Sequence, residues 1–272
     1  EVIKVEQPEG DPGRFLGEHH DGISLQAKSI MRNKKNVCVD LRSPKGQEIV
    51  CRLVELSDVV LENFSPGTLE QWNLGYGQLQ KVNPRIIMMR ISGYGQNGPY
   101  SKLPGYGATC EALSGLRHMT GDPDRPPARV AVPLTDFLSG LYGAFAVLMA
   151  LRYRDLTGKG QEIDLALYEA AFSFMHAFVP TYDKTGKIGN RAGARLPNMA
   201  PNNLYFANDG KYFLIAAGSQ SMFRRLAKAM GCEELADDPR FLDQAARAKH
   251  EDQLDKAIAA WVAGHTSDEL GK

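Results

Sequence analysis

This sequence has no surplus of either charge, no paired cysteines and no long apolar run. Its 32 lysines and arginines balance 32 aspartates and glutamates, so no bulk charge draws nucleic acid or an anionic membrane surface. Cys38, Cys51, Cys110 and Cys232 are scattered, with no CxxC pair and no cluster of histidines. Neither a disulfide framework nor a zinc site is indicated, no metal is expected, and a reducing compartment fits best. The most apolar stretch, Phe137 to Leu151, is closed by Arg152 and Arg154. It is shorter than the roughly 20 residues of a membrane span, and no signal peptide opens the chain. A cytoplasmic globular protein with neither membrane nor nucleic-acid partners is the expectation. Nucleotide motifs are absent too: there is no Walker loop, and "GYGQNGP" lacks the spacing of a dinucleotide fingerprint. His118 and His176 stand alone, and no Ser-His-Asp order can be assembled.

What is present is an alternation of strand and helix. "EVIKVE" and "KNVCVDL" read as strands, and "SPKGQEIVCRLVELSD" as a helix with Ser43 as cap, Pro44 in its first turn and Ile49, Val50, Leu53 and Val54 on one face. "VVLENF" is a strand, "GTLEQWNLGYGQLQKVNP" two short helices, and "RIIMMRISGYG" an apolar strand. Such alternation predicts a parallel sheet with helices on its faces. Ligands then bind beyond the carboxyl ends of strands, where Asn63-Phe64 and Gly93-Tyr94 fall. Pro104 to Thr120 reads as one helix, and Thr135 to Leu156 as a long buried one stopped at Thr157-Gly158. "QEIDLAL" is a strand leading into "YEAAFSFMHAF".

Residues 180–200 carry Gly, Pro, Asn and basic side chains without period and read as a loop or linker. "NLYFANDGKYFLIAAG" is a hairpin turning at Asn208-Asp209-Gly210, followed by a serine-capped helix closed by Gly231 and a helical remainder. The opening strand is already under way at Glu1, and Thr266 or Ser267 would cap a helix at the other end. Both ends therefore read as cut from a longer protein.

One carboxylate stands out. Asp136 sits at the edge of the apolar run in "AVPLTDFLSGLYGAF", where it reads either as a helix cap or as a nucleophile at a helix N-terminus. Gly140 lies four residues on, on the same face, and leaves space beside the carboxylate. Ser139, Gly143 and Ala144 keep that end of the helix slim, as tight helix packing also would. The helix dipole favours the ionised, nucleophilic form by roughly 0.3–1 kcal/mol. A second feature is the basic stretch "MRNKKNVCVDLR", with Arg32, Lys34, Lys35 and Arg42 around a strand. Singly these are solvated side chains; together they suit phosphates.

The segments "ENFSPGTLEQWNLGY", "RISGYGQNGPY", "PGYGATCEALSGLRHMTG", "TDFLSGLYGA" and "RDLTGKGQEIDLALYEAA" occur in the order and spacing of the family III CoA-transferases of the CaiB/BaiF, formyl-CoA transferase-like type. "EVIKVEQP", "NKKNVCVDL" and the segment from Asp209 to Phe241 match as well, so the resemblance covers essentially the whole chain. It implies an α/β fold: a Rossmann-like parallel sheet with flanking helices in a large domain (residues 1–180), a linker (181–200) and the start of a smaller α+β domain (201–272). An interlaced homodimer is implied as well.

The implied reaction moves CoA from an acyl-CoA thioester to a free carboxylic acid, with coenzyme A as substrate and Asp136 as the residue that becomes an aspartyl-CoA thioester. CoA contacts would fall on Val39, Asp40, Leu41 and Arg42, on Asn63, Phe64 and Ser65, and on Ser92, Gly93 and Tyr94. Arg42 suits a phosphate and Phe64 an apolar or adenine face. The substrate loop would include Gly140 and the stretch Gly218, Ser219 and Gln220, which keeps a single glycine where the family has several. Gln7 and Gln71 stand where some family members carry a CoA-binding arginine. An α-methylacyl-CoA racemase would carry a histidine where this chain has Tyr106 and Gly107. Transferase is thus favoured over racemase, and a non-catalytic CoA-binding protein is the third reading.

Overall fold

The computed structural model describes all 272 residues, Glu1–Lys272, as two compact units. Glu1–Ser114 with Val132–Met175 form the first, and Gly115–Ala131 with His176–Lys272 the second. In chain order the first unit holds β1 (Ile3–Glu6), the short strands β2 (His19–His20) and β3 (Ile23–Ser24), α1 (Leu25–Ile30), β4 (Lys35–Cys38) and α2 (Pro44–Glu55). It continues with β5 (Val59–Glu62), α3 (Thr68–Gln71), α4 (Tyr76–Val82), β6 (Ile87–Ser92) and α5 (Gly107–Leu113). After α6 (Leu116–Met119), which belongs to the second unit, the first resumes with α7 (Leu134–Thr157), β7 (Glu162–Ala166) and α8 (Leu167–Phe172).

The fold is mixed α/β with parallel strands. β1 pairs with β4, and β5-β6-β7 form a three-stranded sheet, every one of these pairs parallel. The expected single sheet is here two, because β4 is hydrogen-bonded to β1 and not to β5. What joins them is packing: Val54, Leu69, Leu74, Leu79, Ile86 and Met88 are buried together, and Leu41 after β4 and Val60 of β5 both lean on that cluster. The ends of α2 follow from its sequence. Ser43 Oγ accepts the Gly46 N–H at 3.0 Å and Pro44 opens the helix, so two of the orphan first-turn positions cost nothing. Ile49, expected on the inner face, is exposed, while Val54 is buried.

β6 is the central strand of its sheet, and Ile86 to Met89 are fully buried. Successive side chains point to opposite faces: Met88 enters the cluster under α2–α4, and Met89 meets α7. A Cβ at Gly143 would lie 2.9 Å from Met89 Cε, so that glycine lets α7 close on the sheet.

α7 departs from expectation. It runs 24 residues, long and apolar enough by length and composition to cross a membrane. Yet its inner stripe packs on β6, β7, α5 and α8. Only Thr135, Ser139, Gly143, Ala150 and Arg154 are buried, whereas Phe137, Leu141, Phe145, Leu148, Met149 and Leu156 are 60–71 % exposed. The helix expected to be buried therefore leaves most of its apolar surface uncovered in the single chain. The single helix expected from Pro104 to Thr120 is also two, α5 and α6, because Gly115 takes φ +86° between them.

The second unit contains α6, α9 (Phe178–Thr185), the antiparallel hairpin β8 (Asn202–Phe206) and β9 (Tyr212–Ala216), α10 (Gln220–Ala229), α11 (Gln244–Lys249), α12 (Glu251–Val262) and α13 (Ser267–Leu270). α9 occupies the start of the stretch expected to be loop, ending at Gly186 in the left-handed region. Tyr205, Phe223, Phe241, Leu254, Ile258 and Val262 build this unit's core. Ser219 caps α10, accepting from Met222 N at 3.3 Å, and Thr266 with Glu269 forms a capping box on α13.

Candidate active site

Three loops follow strands in the first unit, and each is held by its own local device. After β4, the Val39 N–H donates to Glu6 O at 2.8 Å, and Ser43 Oγ donates to Asp40 O at 2.9 Å. Gln47 Nε2 donates to Leu41 O at 3.2 Å. A Cβ at Gly46 would stand 1.9 Å from Asp40 O, so only glycine lets the first turn of α2 sit against this loop. Val39 is buried, Leu41 half-buried, and Asp40 and Arg42 are exposed, which leaves the Arg42 guanidinium facing water at the rim.

After β5, Asn63, Phe64 and Ser65 are all exposed. The Phe64 N–H donates to Glu62 Oε2 at 2.7 Å, and the Phe64 ring meets Trp72 edge-on with centroids 5.4 Å apart. Glu62 is itself buried, and burial pushes its carboxyl above the usual range against the pull of Arg90. After β6, Ser92 is buried with no partner for its hydroxyl, and Tyr94 packs between Tyr100 and Tyr168.

Asp136 is the third residue of α7. The helix opens at Leu134 after Pro133, with no side-chain hydrogen bond capping it. Asp136 is therefore not a cap. Its carboxylate is exposed, and its one recorded hydrogen-bond partner is the buried Thr135 hydroxyl, which donates to Oδ2 at 3.4 Å. Space around it is uneven. Nothing lies within 4 Å of where a Cβ would stand at Gly140, but a Cβ at Gly107 would be 2.2 Å from Asp136 Oδ2. The carboxylate thus has backbone against one side and open room toward the other.

That backbone continues into the third loop. Gly105 and Gly93 approach so closely that a Cβ on Gly93 would be 2.6 Å from Gly105 Cα. Cys110 Sγ donates to Gly93 O at 3.3 Å. Burial first, and the Asp136 charge second, push the Cys110 thiol up to about 11. It stays a neutral, weakly nucleophilic S–H at neutral pH. The structure therefore brings Asp136 and the Gly93-Tyr94 turn together through residues 105–110. Gly105, Gly107, Thr135 and Cys110 were not singled out as site residues from the sequence. Gly107 is the one with a signal there, since it stands where the racemases have histidine.

Gly218, Ser219 and Gln220 lie in the second unit, on the wall of a cavity of about 460 Å³ with Met199, Leu242 and Arg247. Arg247 is 1 % exposed; it donates to Gly218 O at 2.8 Å and Gln220 Oε1 at 2.6 Å and lies 4.7 Å over the Phe223 ring. His118 Nε2 sits 3.1 Å from Gly189 O, and His176 is exposed. Gln7 and Gln71 are exposed as well.

The fold is thus α/β, with an exposed carboxylate in the first turn of a long helix, against glycine backbone that packs on the loop after β6 of a parallel sheet. The chain belongs to CoA-transferase family III, which it matches over residues 1–272. It is 47% identical over 272 residues to the succinyl-CoA–D-citramalate CoA-transferase of Chloroflexus aurantiacus, covering 99% of this chain and 68% of that one. To the succinate–glutarate CoA-transferase of Agrobacterium fabrum it is 35% identical, over 95% of this chain and 66% of the other. A crystal structure of a CaiB/BaiF family protein from Brucella suis superposes with a TM-score of 0.84 at 36% identity, covering 99% of this chain and 72% of that one. The chain thus spans about two thirds of the length of these relatives.

Proposed function

We propose that the full-length protein transfers CoA between an acyl-CoA thioester and a free carboxylic acid, with Asp136 as the covalent nucleophile. The observation that carries this reading is the carboxylate itself: exposed, uncommitted to capping, and open on the Gly140 side. One Asp136 oxygen attacks the acyl carbonyl, the C–S bond breaks, and CoA leaves as thiolate, giving a mixed anhydride of Asp136 and the acyl group. The thiolate attacks the aspartyl carbonyl, releasing the first acid and leaving an aspartyl-CoA thioester. An incoming carboxylate displaces the thiolate to form a second anhydride. The thiolate then takes the new acyl group and frees Asp136. Splitting the exchange this way replaces one hard step by easier ones, and the α7 N-terminus favours the attacking anion.

CoA is proposed to lie over Val39–Arg42, Asn63–Ser65 and Ser92–Tyr94, its phosphates toward Arg42 and an apolar or adenine face on Phe64. The location of all three loops after parallel strands supports this. The names of the relatives, succinyl-CoA–D-citramalate and succinate–glutarate CoA-transferases, support succinyl-CoA as donor and a small dicarboxylic acid as acceptor. The uncovered apolar surface of α7 supports a homodimer, interlaced as the family resemblance implies, and four free cysteines support a reducing, cytoplasmic location. Asparagine at position 136 cannot form an anhydride, so the test is Asp136→Asn in the full-length protein. Transfer should be abolished with the melting temperature unchanged, and hydroxylamine after acyl-CoA should mark the peptide holding Asp136. An active variant, checked for deamidation, overturns the proposal.

A further inference from the structure

We infer that Arg90, which touches none of the candidate loops, is the positioning residue for Phe64. Arg90 lies on the central strand β6 and is 5 % exposed. Its guanidinium reaches three carboxylates from three other elements. Nε donates to Glu62 Oε1 of β5 at 2.6 Å. Nη1 and Nη2 take Glu70 of α3 as a fork, at 2.7 and 3.1 Å. Nη1 also donates to Glu162 Oε1 of β7 at 3.0 Å. Two-point contact with a carboxylate fixes orientation as well as distance.

Two of these arms converge on one side chain. Glu62, held through Oε1, uses Oε2 to accept the Phe64 N–H at 2.7 Å, which sets the backbone of the loop. Glu70, held by the fork, sits two residues before Trp72, whose ring stands edge-on to Phe64 at 5.4 Å. Backbone and ring of Phe64 are thus fixed by separate routes that both return to Arg90. Phe64 is 39% exposed, so an aromatic face is held rigid at the surface instead of collapsing into the core. A held aromatic face binds a planar heterocycle without first losing rotamer freedom.

The inference rests on the placement of CoA at Phe64, and the experiment separates the two. Affinity for CoA is measured by calorimetry, and KM for the acyl-CoA donor by turnover, in full-length Phe64→Ala, Glu70→Gln and their double variant. Glu70 is partly exposed, and glutamine keeps its shape while losing the charge-assisted fork. Glu70→Gln should weaken CoA binding about five-fold, with the change falling on KM more than on kcat. On the Phe64→Ala background the same change should add less than about two-fold, because nothing remains to position. Arg90→Lys, which cannot span both carboxylates, should behave as Glu70→Gln if it folds; if it does not, the Glu70 pair carries the test. Weakening by Phe64→Ala but not by Glu70→Gln, or full multiplication in the double variant, overturns the inference while leaving CoA at Phe64. Unchanged affinity in Phe64→Ala removes CoA from Phe64 and the inference with it.

Discussion

Gly107→Ala is the sharpest test of the geometry around Asp136. The added methyl would stand 2.2 Å from Asp136 Oδ2, 3.1 Å from its Cγ and 2.7 Å from Thr135 Oγ1. Those atoms are side-chain ends, so the strain is relieved by turning Asp136 and Thr135 rather than by moving a strand. An off-rotamer side chain costs about 0.5–1.5 kcal/mol, and alanine for glycine in a helix returns about 0.5–1 kcal/mol. Stability should then change by less than about 1 kcal/mol, a melting shift within about 3 °C. Chemistry responds differently. Displacing a nucleophile by about 1 Å costs about 10²-fold in rate, or about 2.7 kcal/mol in barrier. The assay is turnover of an acyl-CoA donor and a carboxylic acid acceptor, beside a thermal melt of the same preparation. Unchanged turnover would refute the reasoning, since a carboxylate pushed aside cannot react as before. A melting temperature lower by more than about 10 °C would refute the premise that side chains alone give way.

Arg42→Ala should weaken CoA binding by the about 1.5–3 kcal/mol of a charged hydrogen bond, read by calorimetry; unchanged affinity would make Arg42 solvated surface only. Glu6 is buried, and the Arg14 guanidinium on its carboxylate, helped by the Asp11 N–H and Lys4, lowers its pKa from 4.5 to about 2. Its folded value is the depressed one, so this part of the stability is whole above pH 4.5 and is lost as pH falls toward 2. Melting temperature against pH should therefore drop over that window, and Glu6→Gln should flatten the drop. Arg247→Met should lower the urea midpoint by the equivalent of about 2–4 kcal/mol, because Ala200 O, Gly218 O and Phe241 O all lose a buried donor.

Local signals were legible in the sequence wherever the physics was local. Ser43 and Pro44 start α2, Asn208-Asp209-Gly210 turns the hairpin, and Ser219 caps α10, because each needs only side chains within a few residues of the backbone they satisfy. The parallel pairing of strands followed from helices between them, and the family followed from the order of its motifs. Asp136 also stood out, since an acid at the edge of an apolar helix is visible in one dimension.

What lay beyond the sequence depends on contacts between distant residues. A helical reading of 104–120 runs past Gly115, because glycine is tolerated in helices and only its φ of +86° breaks this one. The apolar residues of α7 predicted burial, but one sheet face and two short helices cover a single stripe of it, so the remainder stays exposed. That Gly107 presses on Asp136 across 29 positions, or that Arg90 gathers Glu62, Glu70 and Glu162, no periodicity encodes. Sequence patterning sets which face of an element is apolar; tertiary structure decides which charges and which backbones meet, because those distances are fixed only when the elements pack.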